Sequence, residues 1–420
     1  MTSGIFCFML LMKRLLLLSF LLFVVHANAF SQLHYITGTV KDESGKPLSG
    51  VEVFLSGTSR LTLTDDDGTF NISRLSAGNY ELVAKLLGRE TYHASFTLTK
   101  SSKFNITLLL NARRLREVVI QSEKPAIVRK AEYAMFQRAF LGQTPNSSHC
   151  KILNPEVLNI YTDPETKALH VDSGGEFLEI SNAALGYHIR YLLEEFIIDT
   201  RKGYSYYVGQ IHFQDMDGSP NKAKDWQAAR RIAYAGSPQH LLKAIYDNQV
   251  AEEGFQMRSL TKVPNKESIS ESMYMEKRRR LDSLLAAKAL SRNQYNDSIG
   301  TLGARVHLAA YKQILSDQTI SASSVVGRMD GPNKELNLTG ELYIQYKKER
   351  TAWNYNLPHQ LRSLKKSDRE GQISLISVRE AAPMVDALGN LTNPLSLLYT
   401  GYLGWERVAD MLPKDYMYKP

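Results

Sequence analysis

The chain has 420 residues, of which 43% are hydrophobic, and this content is ample for globular cores. The length predicts about two to three domains and the composition excludes a disordered chain. A formal net charge of +8 is only moderately basic, and without a nucleic-acid-binding motif it predicts no nucleic-acid partner.

Residues 1–29 have the pattern of a secretory signal peptide. Lys13 and Arg14 give a positively charged start, residues 15–25 are apolar, and Ala27-Asn28-Ala29 is a small-x-small cleavage signal. We therefore expect cleavage after Ala29 and export to the periplasm or the outer-membrane-associated cell envelope. Both Met1 and Met12 fit as the start of the signal. An uncleaved anchor stays an alternative, although the apolar stretch is short for a bilayer.

Residues 36–110 alternate apolar and polar side chains in short runs. Phe70 and Ile72 share one face of such a run, and Tyr80, Leu82 and Ala84 share one face of the next. Gly-Lys-Pro, Asp-Gly and Ala-Gly-Asn sequences separate the runs and suit tight turns. The pattern predicts an all-β sandwich.

The same segment resembles the carboxypeptidase-regulatory-like domain. The motifs that carry the resemblance use Gly38, Val40, Pro47, Gly50, Val51, Val53, Thr64, Asp65, Gly68, Phe70, Leu75, Gly78, Tyr80 and Leu82. The resemblance implies a seven-stranded, transthyretin-type (prealbumin-like) β-sandwich over residues 34–120, of a kind common in envelope proteins of the Bacteroidetes. It implies no peptidase, because these residues shape turns and core rather than a site.

A larger α+β domain is expected over residues 127–420, after a linker at 121–126. Its first helix is predicted to end before Gly142 and to place on one stripe Ala131, Ala134, Met135, Phe136, Ala139 and Phe140. Strands and a split helix at 221–246 follow, and then a long amphipathic helix at 262–290 within a charged helical segment of about 262–316. The whole order is similar to Bacteroidetes proteins in which the regulatory-like domain precedes one long α+β region, a resemblance that implies location and architecture but no reaction.

Motifs of common catalytic sites are absent from the sequence. No histidine is followed at three residues by glutamate, and there is no His-Glu-x-x-His, Gly-x-Ser-x-Gly, Walker or dinucleotide-binding motif. The sequence therefore predicts no catalytic, cofactor-binding or metal-binding residue and no cofactor. Enzymatic activity stays open at this stage, with the motifs favouring its absence.

Two acidic groups were weighed as sites. The run Asp65-Asp66-Asp67 offers the oxygens that calcium prefers, although an Asp-Gly turn needs no metal. Glu194, Glu195 and Asp199 offer the paired carboxylates of a glycosidase. Adjacent strand residues point to opposite faces, however, which argues against a shared site for the two glutamates.

Aromatic and basic groups give further alternatives. One run fits either a carbohydrate-stacking platform or an ordinary strand, and it comprises Tyr204, Tyr206, Tyr207 and Phe213. There are two basic clusters. Each fits contact with anionic lipid or lipopolysaccharide, or alternatively a solvated helix face. The first comprises Lys277, Arg278, Arg279 and Arg280, and the second Lys222, Lys224, Arg230 and Arg231. Cys150, the single cysteine after the signal, is expected to be a buried small hydrophobe rather than a reactive thiol.

Two classes of function follow. The first is a non-catalytic exported cell-envelope protein, in which the sandwich docks a protein or glycan partner and the α+β region is a scaffold or receptor. The second is a periplasmic hydrolase that acts on peptide or glycan, with its site in the α+β region. A TonB-dependent receptor, which often begins with the same module, is a weaker third alternative, because the sequence lacks repeated amphipathic strands.

Overall fold

A computed structural model describes residues 33–111, 126–201, 203–308, 310–358, 361–362, 364–379 and 382–418. They group into two compact units: a sandwich unit, residues 33–55 and 60–111, and an α+β unit, residues 56–59 and 126–418. The predicted signal peptide, its cleavage site at Ala29 and residues 121–125 of the predicted linker lie outside the described residues. The domain boundaries therefore stay a prediction.

The sandwich unit has seven strands in two sheets. The strands are β1 (His34–Asp42), β2 (Glu52–Leu55), β3 (Leu61–Leu63), β4 (Thr69–Leu75), β5 (Gly78–Lys85), β6 (Tyr92–Leu98) and β7 (Ser102–Leu108). One sheet has the order β4-β1-β7, in which β1 and β7 are parallel, and the other has the order β3-β2-β5-β6. The predicted seven-stranded sandwich is confirmed.

Period-two alternation fills the core of this sandwich. Phe70 and Ile72 of β4 are buried, as is Ile106 of β7, and their polar neighbours face solvent as the alternation requires. Strand β5 does not alternate, because Leu82 and Val83 are both buried. Gly38 lies on the central strand of the smaller sheet, where a Cβ would overlap the Phe104 carbonyl oxygen and lie 2.6 Å from the Phe70 ring. Glycine is needed there because the ring packs directly on the backbone.

The first part of the α+β unit is an antiparallel sheet covered on one face by a helix. Its elements are α1 (Ala126–Leu141), β8 (Cys150–Ile152), β9 (Asn159–Thr162), β10 (Leu169–Asp172), β11 (Phe177–Asn182), β12 (Tyr187–Asp199) and β13 (Tyr204–Asp215). The long strand β12 pairs with β11, β10 and β13. The core between helix and sheet contains Phe136 and Phe140.

Helix α1 agrees with the predicted helix except in part of its apolar stripe. Phe136 and Phe140 are buried, and Gly142 follows with φ +95 and ends the helix. Met135, predicted on the stripe, is 39% exposed, whereas Glu132 is 9% exposed and its Oε1 accepts a hydrogen bond from Thr162 Oγ1 at 2.7 Å. Glu132 is therefore buried where the hydrophobic pattern predicted only apolar side chains, and Thr162 of β9 supplies its hydrogen bond.

The second part of the α+β unit is another antiparallel sheet with helices beside it. Its elements are α2 (Pro220–Tyr234), α3 (Pro238–Tyr246), β14 (Phe255–Pro264), α4 (Glu271–Ala286), α5 (Arg292–Val306), β15 (Tyr311–Thr319), α6 (Ala322–Val325), β16 (Val326–Asp330), β17 (Asn333–Leu336), β18 (Glu341–Tyr346), β19 (Gln372–Val378), β20 (Met384–Val385), β21 (Leu397–Gly401) and α7 (Tyr402–Trp405). The larger sheet has the order β15-β14-β18-β19-β21, and β16, β17 and β20 form a small one. The predicted α+β class is confirmed, as is the split between α2 and α3.

The long helix predicted over residues 262–290 is wrong. Residues up to Pro264 belong to β14, and the helix spans Glu271–Ala286, followed by a second helix, Arg292–Val306. Ser270 and Ser291 accept hydrogen bonds from the first turns of the two helices and so fix where each begins. Among the described residues no helix is long and apolar enough to cross a bilayer.

Candidate functional site

The sheet of β8 to β13 has one face that carries a row of four side chains, three of which bear rings. His170 pairs with Tyr161 on one side and with Ile197 on the other, and Ile197 pairs with Tyr206. Residues directly opposite each other in a sheet share a face, so these four side chains form one row across β9, β10, β12 and β13. We call them the aromatic strip. Three strand spacings make it roughly 14 Å long.

Rings along the strip stack on one another in two pairs. The rings of Tyr161 and His170 stack with centroids 4.9 Å apart and an interplanar angle of 9°. Tyr204, two residues before Tyr206 on β13, stacks on it at 6.3 Å and 23°. Tyr161 is 46% exposed and Tyr204 is 41% exposed, while Ile197 is buried between the rings. Ring surface is therefore exposed to solvent at Tyr161, at one end of the strip, and at Tyr204, beside its other end.

A β-bulge brings both predicted glutamates to this same face. The register of β12 and β13 shifts between Leu193 and Glu195. Glu195 Oε2 accepts a hydrogen bond from Tyr206 Oη at 2.9 Å, and Glu194 Oε1 accepts one from Gln210 Nε2 at 3.3 Å. Tyr206 and Gln210 share one face of β13, so their two glutamate partners share that face as well. The extra residue that the bulge inserts into β12 interrupts the alternation that would otherwise separate the glutamates. The sequence argument that the two glutamates point to opposite faces is wrong at this bulge.

The remaining members of the two groups add no exposed side chain to this face. Tyr207 stacks on Phe196 in the core at 6.0 Å, and Phe213 is buried. Asp199 is buried, and its carboxylate accepts the backbone N–H of Arg201 in the turn after β12. Burial and the hydrogen bond to Glu195 raise the pKa of Tyr206. The structure thus divides the tyrosine run between a core face and an exposed face.

A second group of side chains, in which carboxylates lie beside aromatic rings, was not predicted from the sequence. Tyr355, Tyr402 and Trp405 contact one another with ring centroids 5.0 to 5.2 Å apart. Burial, with the nearby charges of Asp410 and Glu349, raises the pKa of Glu406 well above its usual range. We call these six residues the acidic–aromatic cluster. The motif Gly-Tyr-Leu-Gly-Trp-Glu at residues 401–406 is a local signal for it, but Tyr355 and Glu349 are distant in sequence.

Within this cluster Asp410 holds a neighbouring loop. Its carboxylate accepts hydrogen bonds from Thr144 Oγ1 and Asn146 Nδ2, both at 2.9 Å. Burial raises the pKa of Asp410 to about 6, against the opposing effect of these hydrogen bonds. Burial likewise raises the pKa of Cys150 to about 12, and the thiol is buried as predicted, so it is a poor nucleophile at neutral pH.

We expect Asp410→Asn to change how stability depends on pH. The folded-state pKa lies above the usual value, so the folded chain binds the extra proton, and the stability that Asp410 contributes is lost as pH rises through about 6. A shift of about two pKa units changes the free energy of unfolding by at most about 3 kcal/mol. The loss extends from about pH 4 to pH 6, so urea unfolding at pH 4 and pH 8 measures it: the wild-type protein should lose more stability than the variant between the two. Equal losses would contradict the assignment.

His240 is bound on both ring nitrogens. Its Nδ1 accepts the backbone N–H of Gly236 at 3.1 Å, and its Nε2 lies 3.0 Å from Glu253 Oε2. Burial lowers its pKa despite the glutamate. With neither nitrogen free to accept a substrate proton, this buried His–Glu pair has a structural role.

The predicted calcium group is a turn. Asp65 Oδ1 accepts the backbone N–H groups of Asp67 and Thr69, and its Oδ2 accepts the Thr69 hydroxyl at 2.6 Å. These bonds use the oxygens that a cation would need and lower the pKa of Asp65. In the part of the chain that the structure describes, no group of three or more His, Cys, Asp or Glu side chains is arranged to hold a metal ion.

One of the two basic clusters is partly built into the fold. Arg230 donates from Nε to the Leu185 carbonyl at 2.7 Å, pairs with Asp215 at 2.8 Å and lies 3.8 Å over the ring of Tyr187. Lys222 and Lys224 of the same helix are exposed. The second cluster lies on α4, where no residue is buried.

The sandwich unit and the segment after it match a known family model over residues 36–120. These residues are a CarboxypepD_reg-like domain. The match confirms the resemblance found in the sequence. In the turns of this domain, Gly45, Gly50 and Gly68 have the positive φ that glycine tolerates. The CarboxypepD_reg-like domain accounts for about a fifth of the chain, so it identifies this module and not the α+β unit.

A curated relative is the TonB-dependent receptor P39 of Formosa agariphila, with 37% identity over 108 residues. The match covers 25% of this chain and 10% of the relative, so the chain spans about a tenth of that protein's length.

One solved structure with some likeness is the type II cohesin–X-dockerin complex of Acetivibrio cellulolyticus, which is 20% identical in sequence. The match covers 18% of this chain and 58% of that chain, and its TM-score is 0.17. Another is a DUF3823 family protein of Bacteroides ovatus, which is 12% identical. That match covers 44% of this chain and 83% of the other, with a TM-score of 0.16. Likenesses this remote carry no argument about what the chain binds.

Proposed function

We propose that the protein is an exported, non-catalytic cell-envelope receptor that binds a glycan on the aromatic strip of its α+β unit. The observation that carries this proposal is the row of stacked rings, in which Tyr161 and Tyr204 are exposed, beside the carboxylates of Glu194 and Glu195. Sugar rings have C–H faces that pack on aromatic rings, and sugar hydroxyls bind carboxylates. A tyrosine supplies both an apolar ring and a polar hydroxyl.

The CarboxypepD_reg-like domain acts, in this proposal, as the module that docks the protein to a protein or glycan partner of the envelope. Its edge strands β3, β4, β6 and β7 each pair with one neighbour among the described strands, and strand edges accept an added strand. An envelope location is supported by the predicted signal peptide and by the name of the curated relative, a TonB-dependent receptor.

Binding to soluble polysaccharides tests the receptor proposal. In affinity electrophoresis of residues 30–420 through gels containing laminarin, xylan or soluble starch, we expect retardation in at least one. Tyr161→Ala and Tyr206→Ala should each weaken that binding about two- to tenfold, since an aromatic pair contributes roughly 0.5–1.5 kcal/mol beyond the area that it buries. Tyr206→Phe, which keeps the ring, should weaken it less.

The matched control is Tyr311→Ala, because Tyr311 is 58% exposed but lies on β15, away from the strip. It should leave binding unchanged. Retardation that survives both strip variants, or that Tyr311→Ala abolishes equally, would contradict a glycan site on the strip.

A periplasmic glycan hydrolase stays the second candidate, because the bulge places Glu194 and Glu195 on the face of the strip. Both glutamates are exposed, however, whereas catalytic carboxylates usually line a cleft. Release of reducing sugar from a retained polysaccharide, abolished by Glu195→Gln, would favour the hydrolase over the receptor.

A further inference from the structure

The α4–α5 hairpin is an arm that projects from the larger sheet. It connects β14 to β15, which pair with each other up to Pro264 and Tyr311. Neither helix has a buried residue. The two helices are held together by partly buried side chains such as Leu281 and Leu285, and by a hydrogen bond from Tyr295 Oη to Asp282 Oδ1 at 2.6 Å. Side chains on the outer faces therefore make no contribution to a core.

One outer face of α4 combines apolar and basic side chains. Met273, Lys277, Arg280 and Leu284 follow the spacing i, i+4, i+7 and i+11, which places them along one face of a helix. Met273 is 44% exposed and Leu284 is 38% exposed, and both basic side chains are exposed. The exposed Glu276 borders the stripe, three residues after Met273 and four before Arg280. We call these four residues the α4 stripe.

We propose that the α4 stripe seats this arm on the anionic phospholipid surface of an envelope membrane. Lys and Arg side chains pack their methylene stems at an apolar boundary and keep their charges at the headgroups. Two apolar side chains flanking two cations match the boundary between acyl chains and anionic headgroups, where amphipathic helices lie parallel to the membrane.

Sedimentation with vesicles tests this proposal. We expect the chain of residues 30–420 to bind vesicles of phosphatidylcholine with phosphatidylglycerol, to bind phosphatidylcholine alone far less, and to lose binding as salt increases. The variant Lys277→Glu/Arg280→Glu should bind at least about 30-fold more weakly, because each cation near an anionic surface contributes about 1 kcal/mol, or roughly a factor of five.

Two further variants separate this stripe from a general effect of net charge. Lys224→Glu/Arg231→Glu makes the same change in net charge on exposed residues of α2 and should retain most of the binding. Met273→Ser/Leu284→Ser keeps the net charge and should weaken binding several-fold, as apolar burial in the headgroup region requires. The two α4 variants should melt like the wild-type protein, because α4 buries no side chain.

The proposal is overturned by any of three results. The first is a wild-type protein that does not bind the anionic vesicles. The second is equal loss of binding in the α2 and α4 charge variants, which would mean that only net charge matters. The third is unchanged binding by the α4 charge variant. Because the aromatic strip is intact in each variant, the polysaccharide assay reports separately on the receptor proposal.

Discussion

Replacing Phe140 by alanine is expected to destabilise the α+β unit by roughly 3–5 kcal/mol, the usual cost of deleting a fully buried phenylalanine. Phe140 is 0% exposed and joins α1 to the sheet. Its ring stacks on Phe136 at 4.9 Å and meets the edges of Tyr191, Phe196 and Tyr207 at 5.3 to 5.7 Å. Alanine would leave a cavity lined by four aromatic rings, and the surrounding side chains would fill it only partly.

Urea unfolding followed by circular dichroism measures this effect, with Met135→Ala as the matched control on the same helix. Met135 is 39% exposed, so its truncation should change the unfolding free energy by no more than about 0.5 kcal/mol. Similar midpoints for the Phe140 variant and the wild-type protein would show that α1 does not pack on this sheet.

Much of α1 could be predicted because its signals are local. The spacing of Phe136 and Phe140 and the glycine after Leu141 decide where the helix lies and where it ends. The error at Met135 has a physical cause: Glu132 reaches the core side because Thr162, on a strand distant in sequence, supplies its hydrogen bond. A hydrophobic pattern cannot anticipate a polar partner from another element.

The candidate sites were predictable only in part, for the same reason. The aromatic run in the sequence includes Tyr204 and Tyr206, but Tyr161 and His170 enter the strip through the register of β9, β10 and β12. The acidic–aromatic cluster depends likewise on residues such as Glu349 and Glu406 meeting in space. Such tertiary pairings have no periodic signal in the sequence.

Gly209→Ala is expected to destabilise the α+β unit by about 1–3 kcal/mol, or more, as overpacking does. Gly209 pairs with Leu193 beside the bulge of β12. A Cβ there would overlap the Leu192 carbonyl oxygen and lie 2.7 Å from the Tyr191 ring. The ring packs on the bare backbone of β13, so the strands must separate to admit a methyl group. That movement should also displace Tyr206 from Glu195 and weaken any glycan binding by the strip.

A second glycine-to-alanine substitution gives the opposite sign and so isolates the steric cause. Gly300 lies in α5, and a Cβ there would meet nothing within 4 Å. Gly300→Ala should therefore stabilise its helix by roughly 0.5–1 kcal/mol, because alanine loses less backbone entropy than glycine. Thermal unfolding of both variants beside the wild-type protein compares them directly. If both raised the melting temperature, the close approach of β12 and β13 at Gly209 would be wrong, and the bulge that brings Glu194 and Glu195 to one face would lose its support.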